Sequence, residues 1–149
     1  MKLDDNIGLK LLGKNEEDVK TISAYLQDSI VSVKNIIFLK KNRTFIMLVN
    51  RFMWEDAEKG VFRKNKRIKS VVKFEEVNKV RSQNIDQEKK SNLLELLAIK
   101  CNLDINETYK INIFFSGGGI ITIISESLDI ILDDIGEPWN VMRAPRHRI

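Results

Sequence analysis

The stretch YKINIFFSGGGIITIIS, residues 109–125, constrains the fold more than any other part of the chain. Two runs rich in β-branched and aromatic residues flank three glycines, Gly117, Gly118 and Gly119. A tight turn between strands needs positive φ, which glycine adopts without steric cost. A phosphate-binding loop would instead need a lysine and then a helix, and a dinucleotide fingerprint would need glycine where Thr122 stands. Residues 120–124 are Ile-Ile-Thr-Ile-Ile, a strand pattern. A hairpin is therefore expected. Tyr109, Ile111, Ile113 and Phe115 share one face of its first arm. In the second arm Ile121 and Ile123 face one way and Ile120, Thr122 and Ile124 the other. Apolar residues on both faces predict an interior position.

The rest of the chain is read around this hairpin. Asn15 can cap a helix whose first turn holds Glu16, Glu17 and Asp18, and Val19, Ile22 and Leu26 give it one apolar face. It should end near Gln27 or Asp28. The next segment predicts a second hairpin, Ile30–Lys40 against Arg43–Phe52, bent near Lys34-Asn35 and turning at Lys41-Asn42. Two short strands broken around Glu75 come next. The run NLLELLAIKCNL, residues 92–103, fits helix or strand, and its strand-rich neighbours favour strand. A final helix is expected after Ser127. Leu128, Ile131, Leu132 and Ile135 recur at helical spacing, Gly136 stands at the C-terminal cap and Pro138 bars continuation. Strands joined by short turns pair antiparallel. The expected class is α+β: one strongly bent antiparallel sheet of about seven or eight strands, with an N-terminal helix and a C-terminal capping helix. This is the layout of a pleckstrin-homology-like barrel.

At 149 residues, 43% of them hydrophobic, the chain suffices for one domain over 1–149 with a real core. Residues 1–8 and 143–149 are expected to be flexible ends. The lone Cys101 cannot form a disulfide within the chain. The first residues include acids and no long apolar run, so neither a signal peptide nor a membrane span is expected, and a cytoplasmic location fits.

The net charge of +4 is unevenly placed. Lys59, Arg63, Lys64, Lys66, Arg67, Lys69 and Lys73 form a basic run free of Asp and Glu, which leaves +4 − 7 = −3 for the rest. Residues 55–66 read as a mobile basic loop. The segment 59–73, with Lys59, Arg63, Lys64, Lys66, Arg67 and Lys69, is a candidate for binding nucleic acid or another anion, or is a solvated loop. Interleaved aromatics, which stack on bases, are limited there to Phe62.

A second candidate is NRFMWE, where Asn50, Arg51, Trp54 and Glu55 stand beside Phe52. Arg and Trp are the residues that anchor interfaces. Equally, the aromatics can belong to the core and Arg51 to a structural ion pair. Arg81, in VRSQNID, could join a partner surface or tie down the connector. Catalytic equipment is sparse. His147 is the one histidine and lies two residues from the end, so a His-based triad is not expected. Cys101 sits among apolar residues and reads as core. No cofactor or metal is expected, and an enzyme would have to work through carboxylates or lysines. The leading expectation is a non-enzymatic binding or adaptor module with a protein partner, and the alternative is anion binding through 59–73.

Taken together, LQDSIVSV, LVNRFMWE, FEEVNKVRSQNID, LLELLAIK and FFSGGGIITI resemble an alphaproteobacterial family of small proteins, the domain of unknown function numbered 2948. The resemblance runs from about Leu9 to Trp139. It is closest at Asn50-Arg51-Phe52, Trp54-Glu55, Val80-Arg81-Ser82, Ile85-Asp86 and Gly117-Gly118-Gly119. Met53 departs from the family, where an acidic residue often stands. The resemblance implies a bacterial cytoplasmic protein and supplies no activity.

Overall fold

A computed structural model describes residues 8–57, 65–142, 144 and 145. Strand β1 (Lys10–Gly13) precedes helix α1 (Glu16–Leu26). Strands β2 (Ile30–Ser32), β3 (Ile36–Leu39) and β4 (Thr44–Phe52) come next, then the single turn α2 (Trp54–Ala57). Strands β5 (Lys66–Phe74), β6 (Val77–Gln83), β7 (Leu93–Leu103), β8 (Tyr109–Phe115), β9 (Ile120–Ser125) and β10 (Ile130–Asn140) complete the order. The strands run β1-β10-β5-β4-β2-β7-β8-β9-β6, with β3 also on β4, and every pairing is antiparallel.

The sheet turns on β7. Leu93–Glu95 pair with β2, whereas Leu96–Leu103 pair with β8 across a register shift between Leu96 and Ala98. Bulges of this kind bend a strand and increase its twist. The inner faces of the two halves then enclose one core. Phe45, Met47, Val72, Phe74, Ile130 and Leu132 come from one half, and Leu96, Ile99, Ile111, Ile113, Phe115 and Ile123 from the other. Helix α1 adds Val19, Ile22 and Leu26. Its Asn15 cap accepts Asp18 N–H at 2.8 Å, and Ser23 Oγ accepts Ile99 N–H at 2.9 Å, which fastens the helix beside β7. Burying each large aliphatic side chain contributes roughly 1.5–3 kcal/mol.

The hairpin built on the three glycines is present. β8 pairs with β9, Phe115 N–H donates to Gly119 O at 2.8 Å, and Gly117 and Gly118 take φ of 86° and 90°. The bend at Val33–Asn35 and the strand over Leu93–Leu103 are also present.

The expected fold is corrected in three places. Among the described residues the sheet has ten strands rather than seven or eight, because β1 precedes the helix, the two arms around Lys34 are separate strands and β10 takes the place of the expected helix. Among the described residues no helix lies after Ser127. That segment is β10, inserted between β5 and β1, so the layout is not a sheet with a C-terminal capping helix and not pleckstrin-homology-like. Its residues carry both periodicities, since Leu128, Ile130 and Leu132 also alternate, and two open strand edges outweigh the local preference for a helix. Gly136 does take positive φ (75°), but at a register shift between Ile135 and Trp139, where Pro138 is also tolerated. Finally, β5 and β6 are joined by two residues and do not pair. Both edges of β5 are taken by β4 and β10, and the chain crosses at Glu75-Glu76 to the other half of the sheet.

Candidate functional site

Alternation on β4 places Arg51 on the same face as Phe45, Met47 and Val49, so its guanidinium enters the core rather than solvent. Its side chain is 0% exposed. Arg51 Nε donates to Asp134 Oδ1 at 2.8 Å and Nη2 to Asp134 Oδ2 at 2.7 Å, a bidentate pair. Nη1 and Nη2 also donate to Glu55 Oε1 and Oε2 at 3.0 and 2.6 Å. Asp134 further accepts Ser70 Oγ–H at 2.5 Å and Leu9 N–H at 2.8 Å. The Tyr25 ring centre lies 5.6 Å from the guanidinium carbon.

Burial alone would lower the Arg51 pKa, but its hydrogen bonds to Asp134 and Glu55 and their charges outweigh it and raise it. Burial likewise pushes Asp134 up, and the bonds from Arg51, Ser70 and the Leu9 amide hold it below the usual carboxylate range. Both groups stay ionised and saturate one another. The cluster is therefore a polar pin between β4, β5, β10 and α2, with its carboxylate already fully engaged rather than poised as a base.

The other residues singled out in the sequence lie apart. Trp54 is half-buried. Its Nε1–H donates to Gln27 O at 2.9 Å, and its ring meets Phe52 edge-on with centres 4.6 Å apart. Asn50 and Glu55 are half-buried, and a small cleft of about 260 Å³ runs between Tyr25, Gln27, Trp54 and Glu55. Arg81 is exposed on β6, in the other half of the sheet. Of the anion-binding candidates, Lys59, Arg63 and Lys64 lie outside the described residues, as do much of the loop expected over 55–66 and His147. Glu55 belongs to the turn α2, and Lys66 opens β5. Arg67 is half-buried and donates to the carbonyls of Asp28 and Asn50 at 3.2 and 3.0 Å. Burial lowers its pKa against the opposing charges of Asp28 and Glu95. Lys69 is exposed on the outer face of β5.

Sequence reasoning missed Ser70, and it missed Asp134, which lies off the apolar face that a helical reading gives to Leu128, Ile131, Leu132 and Ile135. It also missed a cleft of about 260 Å³ where the curled sheet fails to meet itself. Ile36 and Phe38 of β3 line one side, Val80 and Ser82 of β6 the other, and Ile85 and Lys90 the end. β3 pairs on one side with β4 and β6 on one side with β9, so each turns a strand edge without a strand partner among the described residues. The wedge is pinned where Val77 N–H donates to Arg43 O at 2.9 Å. The available signals were the wholly apolar run of β3, Ile36–Leu39, and the apolar Val77 and Val80 of β6.

The family model described as "Protein of unknown function (DUF2948)" matches residues 9–147, nearly the whole chain. This chain belongs to the DUF2948 family. Neither a curated protein nor a solved structure matches it. Among the described residues of this DUF2948 member, no helix is long and apolar enough to cross a membrane, and no group of three or more His, Cys, Asp or Glu could hold a metal ion.

Proposed function

We propose that this DUF2948 protein is a non-enzymatic binding module that engages a protein partner, and that its dock is the cleft between β3 and β6. One observation carries the reading: two strand edges without a strand partner among the described residues flank an apolar cleft. An edge offers a row of backbone donors and acceptors that an extended peptide can pair with, while alternate side chains fill the pocket. The cleft lies slightly below the roughly 300–1,000 Å³ of small-molecule sites and suits a few side chains. Lys90 is the charged residue among those that line it. The partner segment is thus an extended one in which apolar and acidic residues alternate.

This reading moves the partner surface away from Arg51, whose side chain is buried and saturated. Trp54 and Glu55 line a separate cleft with Tyr25 and Gln27, and Arg81 lies on the strand that borders the dock. Titration with an eight-residue peptide of alternating Val and Glu tests it by amide chemical shifts. Shifts confined to β3, β6 and residues 84–92, lost in Val80→Asp, support the proposal. No shifts there with that peptide, or with a Val–Lys control binding equally well, overturn it.

A further inference from the structure

The half-sheet β7-β8-β9-β6 has a second face, turned away from the core, which neither the core nor the cleft uses. Its register aligns Lys100, Asn112, Thr122 and Arg81 in one row across four strands. The next row contains Lys110 and Lys79, and the row on the other side contains Phe114. No Asp or Glu points outward from these three rows. None of the four cations belongs to an ion pair among the described residues.

We propose that this face binds single-stranded nucleic acid. Strands about 4.8 Å apart and a two-residue repeat of about 7 Å spread the four charges over a patch roughly 14 Å wide. Cations outside any ion pair on one outward sheet face suit a chain of phosphates. Phe114 is half-buried rather than in the core, and Lys100 Nζ lies 5.9 Å from its ring centre. An aromatic ring on an outward sheet face is the platform on which unpaired bases stack. Beside it, Thr122 Oγ1 donates to Asn112 Oδ1 at 2.7 Å, which leaves the Asn112 amide N–H group to donate to a base edge. A duplex is read by an element that enters a groove, and a four-stranded sheet face presents none. Arg81, exposed and without a partner surface of its own in the cleft, acquires a role here.

The test is fluorescence anisotropy of the full chain with labelled ten-nucleotide oligo-U and oligo-dT, with a duplex and anionic lipid vesicles as competitors. Four phosphate contacts predict that log K falls against log salt with a slope of about −3, from about 0.7 per contact on single strands. The double variant Lys79→Glu/Arg81→Glu should roughly halve that slope. Phe114→Ala should weaken binding about tenfold with the melting temperature of the protein little changed. Three results overturn the proposal: no binding at low salt, equal competition by duplex or vesicles together with an unaffected Phe114→Ala, or loss of binding in Lys59→Glu/Lys64→Glu while the β6 double variant binds normally. The last result would assign the nucleic acid to the basic run 59–73 instead.

Discussion

Arg51 and Asp134, 83 residues apart in the chain, share two hydrogen bonds of 2.8 and 2.7 Å with neither side chain exposed to solvent. Removing one partner of such a pair leaves a buried charge without its counterion. Asp134→Asn and Arg51→Met are each expected to destabilise the fold by about 3–5 kcal/mol. Glu55 is 26% exposed, so Glu55→Gln should cost about 1 kcal/mol or less. The double variant Arg51→Met/Asp134→Leu should recover part of the loss, because an apolar pair leaves no orphaned charge. Urea denaturation midpoints in a double-mutant cycle measure the coupling.

The same pair sets an acid response. Folding holds the Asp134 pKa below its unfolded value of about 3.9, so its contribution is present above that pH. It is lost as pH falls through the lower, folded pKa. Stability should drop on acidification below about pH 4, and the drop should be shallower in Asp134→Asn. Unfolding midpoints between pH 2 and pH 7 compare the two directly.

Strand β10 makes a prediction that a helix there would reverse. Ile130 and Leu132 are buried at 1% and 0%, whereas Ile135 is 37% exposed. Ile130→Ala and Leu132→Ala should each cost about 2–5 kcal/mol, and Ile135→Ala well under 1. A helical segment would bury Ile135 with Leu132 and expose Ile130. Alanine scanning by chemical denaturation separates the two.

Cys101 should be a slow nucleophile. Burial, helped by the charge of Glu16, pushes its thiol pKa up, which reduces the thiolate fraction at neutral pH. Its reaction with a thiol reagent in the folded protein should be slower than in urea by about tenfold or more, monitored by absorbance.

How legible these features are depends on the reach of each interaction. Asn15, the acids after it and Val19, Ile22 and Leu26 act within one helix, and their pattern predicts α1 as found. NRFMWE points to Arg51, and one of the two readings it allows, a structural ion pair, is what the fold contains. The partner, Asp134, is illegible in the sequence because its neighbours fit two periodicities. The residues of β6 read as a strand, yet their pairing with β9 rather than β5 depends on edges already occupied elsewhere.

By itself the sequence determined the capped first helix, the glycine hairpin at its centre and a predominance of antiparallel strands. These rest on backbone geometry and side-chain periodicity between near neighbours, which no distant residue need supply. The tertiary structure alone decided that residues 130–140 extend rather than coil and that Arg51 meets Asp134. It also decided that two strand edges end facing each other across an open cleft. Each depends on which backbone edge a segment finds free, and that is fixed when the sheet curls around its core.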